Sequence, residues 1–503
     1  MRGSKGFKAT RVAGTLQWRQ AGAAEPCARH RMGYSTGVRT SVTPARRSAE
    51  IRAALGRLLG PDAVGPPTAS YLTDATEHRG VKGSADAVAL PASTQEVASA
   101  VAWCYEHGVA IVPRGGGTGF AAGAVPDGGV VVSLERMTRV RAFDPLLWRI
   151  CVEAGLSTGE VRRLARENGL LFPPDPGAAE QSQIGGNIAT NAGGPHAFKY
   201  GATGAWVTGL EAVVPPGEII ELGGAIRKDV AGYDLKGLLI GSEGTLGVIT
   251  AAWLKLLPAP EATLPVVGFF AGAEAGCRAI EGVLGAGLAV AALEYLDAGA
   301  LAAAGATFPG GIPAEAAFMV LGEADGSKAE AEGLQRELVE ALGVDALDVR
   351  APEPRHEVEE LWRWRDGVSI AVEGRRGGKV SEDIVVPLDR LREAVEETTA
   401  IGERHRLEAC SWGHAGDGNL HSTFLVAPDD GAQLERARAA AEELFELAVR
   451  LGGSISGEHG IGWLKRGQLC RQWAPRALEL HEAVKRAFDP KGLLNPGKKA
   501  AAI

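Results

Sequence analysis

The segment that most restricts this chain runs from Trp412 to Val426, where Gly413-His414-Ala415-Gly416-Asp417-Gly418-Asn419-Leu420-His421 leads into Ser-Thr-Phe-Leu-Val. A strand, a glycine-rich connection and a second strand make a hairpin. Such a hairpin is expected to set His414 and His421 opposite each other across the strand pair, close enough to share one ion. Ser456-Gly457-Glu458-His459-Gly460 follows further along. Imidazole nitrogen with carboxylate oxygen suits zinc and similar divalent ions, and a catalytic site keeps one position open. His414, His421 and Glu458 would supply three ligands. Neighbours on an extended chain point opposite ways, so His459 is free to face a substrate. Gly416 and Gly418 are expected to permit positive φ beside a ligand. On spacing alone, two unrelated solvated histidines remain an equal alternative.

The chain has 503 residues, enough for two or three lobes. Its net charge of −8 gives no general attraction to nucleic acid or acidic lipid. No apolar stretch is long enough to cross a bilayer. Cys27, Cys104, Cys151, Cys277, Cys410 and Cys470 are scattered, which argues for a reducing compartment and against an iron–sulfur cluster held within the chain. Residues 1–47 hold ten Lys/Arg and a single acid, Glu25. A disordered basic tail, an organellar presequence and residues upstream of a later start at Met32 all fit, and the segment is set aside.

Order is expected to begin near Ala49. Ala87–Leu90 reads as a strand, and Ser93-Thr94-Gln95-Glu96 has the form of a capping box opening a helix closed by Gly108. Val109–Val112, Val130–Leu134 and Arg149–Glu153 read as strands, and Ser157-Thr158-Gly159-Glu160 caps a further helix ending at Gly169. Pro258 and Pro260 mark a boundary. Beyond it, alanine-rich helices alternate with strands at Ala317–Leu321 and Asp383–Pro387, and later helices cover Leu434–Leu451 and Leu478–Phe488.

Two glycine-rich segments lie in the first lobe. One is Arg114-Gly115-Gly116-Gly117-Thr118-Gly119; the other runs from Ile184 to Gly194 through Gly185, Gly186, Asn187 and Asn191. Backbone N–H groups freed by glycine form concave anion sites that fit a pyrophosphate without basic side chains. Flexible surface turns are the plain alternative for either one. Gly117-x-Gly119-x-x-Ala122 imitates the dinucleotide fingerprint, but Pro126 and a strand follow where that motif needs a helix.

Together with Lys228–Leu235, Gly241–Thr250 and Leu494–Lys498, these segments resemble the FAD-linked 2-hydroxyacid dehydrogenases of the vanillyl-alcohol oxidase type. The nearest branch covers the glycolate oxidase FAD-linked subunit, D-lactate dehydrogenase (cytochrome) and D-2-hydroxyglutarate dehydrogenase. The resemblance implies an α+β fold: a PCMH-type FAD-binding domain of two α+β subdomains over 48–260, and an α+β substrate-cap domain with an antiparallel sheet over 261–455. Residues 456–503 would return to the FAD domain. It implies that Arg114–Gly119, Pro174-Asp175-Pro176, Gly185, Gly186, Asn187, Asn191, Gly194, Glu243, Gly244, Gly247, Ile249 and Asn495 hold the cofactor. Thr118 stands where some relatives carry a flavin-linked histidine after a glycine pair, so non-covalent FAD is implied. His414, His421 and Glu458 would hold a divalent metal, zinc first, with His459 as base. Arg365 would grip the substrate carboxylate, since its fork matches one bidentately, and Ser369, one turn on, would add a hydrogen bond. Lys379 is a further candidate.

The implied reaction turns a small 2-hydroxy acid into a 2-oxo acid. Glycolate, D-lactate and D-2-hydroxyglutarate all suit it. Hydride would pass to the flavin, and electrons on to oxygen, a quinone, a cytochrome, a flavoprotein or a partner subunit. A non-catalytic flavin subunit of an electron-transfer complex, a metallohydrolase and an NAD-linked dehydrogenase are the rivals. The expected setting is cytoplasmic or peripheral at the inner membrane, or mitochondrial if the basic segment is a presequence. A homodimer or a hetero-complex is compatible with all of this.

Overall fold

The computed structural model describes residues 44–500 apart from Glu77, His78, Gly80 and Glu353. The basic segment therefore lies outside the described residues, except for its last four, which open the helix Pro44–Leu59.

The first half builds two sheets. In the smaller, Ala87–Ala89, Val130–Ser133 and Ile111–Arg114 run parallel, with Val64–Gly65 antiparallel at one edge. The helix Thr94–Glu106 makes the crossover, and its cap is only partly as expected. Ser93 Oγ accepts from Glu96 N–H, but Glu96 reaches back to Ala92 N–H, one residue beyond the capping-box partner. The chain leaves Arg114 into an irregular stretch that ends in the strand Val130–Ser133, so no helix follows the glycines and the Rossmann reading fails. The second sheet is antiparallel, in the order Val140–Asp144, Arg149–Glu153, Val248–Lys255, Val207–Val214, Glu218–Gly223. One apolar core joins both sheets, from Ile51 to Leu256, and takes in Leu494 from the C-terminal tail. The tail is tied there by Ile111 N–H to Leu493 O and by Asn495 N–H to Ile111 O.

The second half is a seven-stranded antiparallel sheet in the order Asp348–Arg350, Ala262–Phe270, Phe318–Gly326, Ala292–Asp297, Ala409–His414, Asn419–Val426, Gly378–Val385. Its two faces carry separate cores. One lies under the long helices, including Leu391–Arg404 and Gly431–Arg450; the other lies under Ala298–Ala304 and Arg355–Asp366. No helix among the described residues is long and apolar enough to cross a membrane.

Charged and aromatic contacts fasten the two halves. His196 sits between Asp175 and Glu323, with Nε2 2.8 Å from Glu323 Oε1. Burial disfavours its charge, but Asp175 and Glu323 prevail and hold its pKa well above the ordinary histidine value. Lys199 and Tyr200 both reach Asp325, and Arg79 Nη1 lies 2.7 Å from Glu382.

Candidate functional site

A cavity of about 560 Å³ opens between the halves. One wall is Pro113–Ala121, Gln183–Pro195 and Glu243–Ile249; the other carries Arg365, Ser369, Lys379, Trp412, His414, His421, Glu458 and His459.

The hairpin forms as expected, but its register does not. The strands pair His414 with Asn419 and Trp412 with His421, so the two histidines are diagonal, not opposite. Diagonal neighbours remain within reach of long side chains, and the rings meet edge-on with centroids 5.3 Å apart. Gly418 takes φ +73°, and a Cβ there would lie 2.1 Å from Val386 O. Gly416 does not take positive φ; a Cβ there would strike the Phe198 ring at 2.4 Å, so close packing rather than ligand room requires the glycine.

Residues 456–460 do not form a strand. They wrap around the buried carboxylate of Asp383, whose Oδ2 accepts from the N–H groups of Gly457, Glu458 and His459 at 2.6, 2.6 and 3.1 Å. Successive amides around one anion form a nest. The loop presents Glu458 to both histidines: Oε1 lies 3.6 Å from His414 Nε2 and 3.4 Å from His421 Nε2. Ligands about 2.0–2.1 Å from a tetrahedral ion stand roughly 3.3–3.4 Å apart, so this donor set fits zinc. Burial pushes His421 down to about 3, with Glu458 opposing only in part. Burial also disfavours charge on His414, yet Glu294 and Glu458 hold its pKa well above normal. His459 stacks on His421 at a centroid distance of 5.4 Å and meets the tilted Phe120 ring at 4.7 Å, with Nδ1 3.5 Å from Asp383 Oδ1.

Arg365 and Ser369 reach the cavity from different helices, Arg355–Asp366 and Val368–Gly374, separated at Gly367. Arg365 Nε and Nη2 are taken by Glu294; among the described residues Nη1 makes no hydrogen bond. Ser369 Oγ accepts from Lys379 Nζ at 2.6 Å, which leaves the Ser369 hydroxyl hydrogen free to donate. Lys379 is also 3.4 Å from Glu373 Oε2.

On the opposite wall, the N–H groups of Gly116, Gly117 and Thr118 donate to no other described residue. Gly117 takes φ +70° above the Arg114 guanidinium. Arg114 donates from Nη1 to Thr73 O at 2.9 Å and from Nη2 to Ser70 O at 2.6 Å. Ile184–Thr190 is a short helix rather than an open loop. Gly185 packs so tightly that a Cβ would lie 2.7 Å from that of Ala154, and the buried Gln183 Oε1 beside this helix has no hydrogen-bond partner among the described residues. Unpaired backbone N–H groups are what a bound phosphate would satisfy, while the Gln183 amide oxygen calls for a ligand hydroxyl or ring N–H as donor.

Of the expected cofactor residues, Arg114, Gly115, Gly116, Gly117, Thr118, Gly119, Pro176, Gly185, Gly186, Asn187, Gly194, Glu243, Gly244, Gly247 and Ile249 line the cavity; Pro174, Asp175, Asn191 and Asn495 do not. Each exception has a structural task or position. Pro174 is buried, Asp175 holds His196, and Asn191 Oδ1 accepts from Gly204 N–H at 2.8 Å. Asn495 Nδ2 donates to Gly123 O and Glu243 O. The Asn187 amide is spent on Thr158 and Ser182, and Glu243 accepts from Ile461 and Gly462 N–H, fastening the 460s to the first half. Glu294, Asp383, Phe120 and Trp412 were not anticipated.

Residues 85–223 match the FAD binding domain model, and 259–499 match the model of FAD linked oxidases, C-terminal domain. Glycolate oxidase subunit GlcD of Bacillus subtilis is 36% identical over 434 residues, covering 86% of this chain and 92% of that protein. The chain belongs to the FAD-linked oxidase family. It is a flavoprotein oxidoreductase by its domains. Two further relatives, each 33% identical, are the D-lactate dehydrogenase of Anaerostipes hadrus (81% of this chain, 87% of that one) and the mitochondrial D-2-hydroxyglutarate dehydrogenase of Bos taurus (88% and 81%). The fold is shared with p-cresol methylhydroxylase (TM-score 0.76, 16% identity, 93% of this chain and 98% of that one). It is shared too with 4-ethylphenol oxidase from Gulosibacter chungangensis (TM-score 0.75, 21%, 93% and 98%). This family fold is the α+β, PCMH-type arrangement that the sequence resemblance implied.

Proposed function

We propose that this FAD-linked oxidase converts a small 2-hydroxy acid of the glycolate, D-lactate or D-2-hydroxyglutarate class into its 2-oxo acid, and passes the electrons to an acceptor other than NAD. One observation carries the reading: Arg365, the His414/His421/Glu458 cluster and His459 face, across one cavity, a wall of unpaired glycine amides.

Residues 48–260 form the FAD-binding part in this reading, 261–455 the substrate cap, and 456–503 the return to the first part. The separate cores and the anchoring of Leu494 support that division. Non-covalent FAD would lie along Gly115–Gly119, Gln183–Gly194 and Gly244–Ile249, and when bound it supplies the two-electron oxidant. His414, His421 and Glu458 would hold a divalent ion, zinc by the donor set, whose Lewis acidity favours loss of a hydroxyl proton.

The chain's own side chains do the rest. Arg365 Nη1, with the free hydrogen of Ser369, orients the carboxylate. His459 Nε2 takes the hydroxyl proton, and its ring is held in place by Phe120 and His421. Asp383 lies on the far side of that ring, where the positive charge developing on the imidazole finds an anion. General-base assistance of this kind contributes about 10²–10⁴-fold in rate. The oxidation is complete when the C2–H bond has given up its one electron pair with the hydrogen and the C2–O bond has become a carbonyl; reoxidation falls to a quinone, a cytochrome, a flavoprotein or a partner subunit.

The test is anaerobic mixing of the yellow holoprotein with D- and L-2-hydroxy acids. Bleaching of the flavin by one enantiomer of a small hydroxy acid is the expected result. A flavin indifferent to the whole panel would overturn the reading.

A further inference from the structure

Glu294 is a fully enclosed carboxylate of the site and has no direct place in the chemistry above. It lies on the strand Ala292–Asp297, paired with His414 on one side and Leu321 on the other. Its two oxygens divide between two tasks. Oε1 is 2.6 Å from His414 Nδ1, and Oε2 takes Arg365 Nε at 2.8 Å together with Nη2. We propose that Glu294 is a positioning residue that sets the metal ligand His414 and the substrate-gripping Arg365 with one carboxylate, so that neither half of the site is built independently of the other. This rests on the function proposed above.

The physical argument has two parts. A metal-binding imidazole must present one bare nitrogen, and the partner of the other nitrogen decides which. With Nδ1–H donating to Glu294, Nε2 is left to face His421 and Glu458. An arginine has five donors in a rigid plane. When Nε and Nη2 are engaged on Glu294, that plane is fixed and Nη1 is the nitrogen left for the cavity. The same anion offsets the guanidinium charge in a buried place, where an unpaired cation would be costly. Because Glu294 is rooted in a central strand, its position cannot drift to suit one partner at the expense of the other.

The experiment compares the unaltered holoprotein with Glu294→Gln, a substitution of equal shape that cannot accept from both partners at once. Zinc affinity is read by competition with a chromophoric chelator, without substrate. Pyruvate affinity is read from the flavin spectrum in metal-stripped protein. Retained FAD and an unchanged Tm show that the fold is intact. The expected result is a loss of about 10–100-fold in zinc affinity, the range found when the hydrogen-bond partner of a metal-binding histidine is lost, with a fall of at least tenfold in pyruvate affinity. A loss confined to either ligand, or to neither, overturns the bridging role. If the unaltered protein takes up no zinc at all, the functional reading falls and the proposal with it; equal zinc uptake by both proteins removes only the role given to Glu294. Should Glu294→Gln fail to fold, the imidazole ¹⁵N spectrum of the unaltered zinc-loaded protein decides. A protected proton on His414 Nδ1 is expected, and its absence overturns the proposal.

Discussion

Lys465 Nζ lies 2.6 Å from Asp383 Oδ1, and both side chains are almost wholly withdrawn from solvent. The ammonium also donates to Asp383 O and Ile455 O, so all three of its hydrogens are used. Burial alone would raise the Asp383 carboxyl; Lys465 and His459 hold it well below the ordinary range. The loop that carries Glu458 and His459 is therefore wound on an anion that depends on one lysine. Lys465→Met strands a buried charge, and breaking such a pair costs about 3–5 kcal/mol. The expected outcome is a lower urea midpoint and weaker zinc uptake, measured together. Asp383→Asn, which leaves Lys465 only the more distant Glu382 at 3.6 Å, is expected to do the same. A variant with both changes is expected to recover part of the stability but not the zinc site.

His459→Ala is expected to keep FAD, since its ring contact with the glycine-lined wall is to Phe120 and not to the glycine amides. The rate of anaerobic flavin bleaching by the best hydroxy acid is expected to fall about 10²–10⁴-fold. Stopped-flow absorbance measures this directly. A rate within a few fold of the unaltered protein would remove His459 from the role of base.

Chelation separates the two cofactors. Removing a divalent ion from His414, His421 and Glu458 is expected to abolish turnover while the yellow colour stays, because the glycine amides and the metal donors belong to different walls of the cavity. Zinc added back is expected to restore activity. Full turnover in exhaustively stripped protein would dismiss the metal.

Local features of this fold are legible in the sequence; distant partnerships are not. The hairpin Ala409–Val426 and the caps at Ser93 and Ser157 are encoded within a few residues, by turn chemistry and by a hydroxyl at the right offset. The exact pairing of His414 with His421 was missed because a one-step change in loop length moves every cross-strand partner. The glycines at 184–194 read as a loose loop, yet a seven-residue helix forms because Ile184 and Ile188 are held in the core. Glu294 and Asp383 left no trace in spacing. Glu294 meets partners 71 and 120 positions away, and Asp383 meets the 457–459 amides across a comparable gap, so only the folded sheet brings them together.

Gly116 tests the cofactor wall. A Cβ there would lie 2.2 Å from Gln181 O, a backbone atom that cannot swing aside. Gly116→Ala must push the Gly115–Gly119 stretch away from residues 181–186, the two strips between which the cofactor is proposed to lie. Weaker retention of FAD on gel filtration is expected, by at least tenfold in affinity, with little change in the zinc uptake of the opposite wall. Unchanged FAD retention would show that this stretch does not hold the cofactor.

Lys498 gives a stability effect with a definite pH dependence. It is 5% exposed, with Nζ 4.9 Å from the centre of the Trp463 ring. Burial pushes it down to about 8, and Asp127 opposes this only in part. In the unfolded chain it titrates near its ordinary value of about 10.4. Below pH 8 both states are protonated, and the folded protein carries the full penalty of a buried cation. As pH rises from about 8 toward 10.4 the folded state releases its proton first, the unfolded state then binds more protons, and stability rises. The penalty is on the order of 3 kcal/mol, from a fall of about 2.4 below the ordinary lysine value at about 1.36 kcal/mol for each unit. Lys498→Met removes the charge and keeps the chain length. In urea unfolding the variant is expected to exceed the unaltered protein at pH 7 and to lose most of that lead by pH 10. A lead that stays constant across this window would mean that Lys498 is not held in an environment that disfavours its charge.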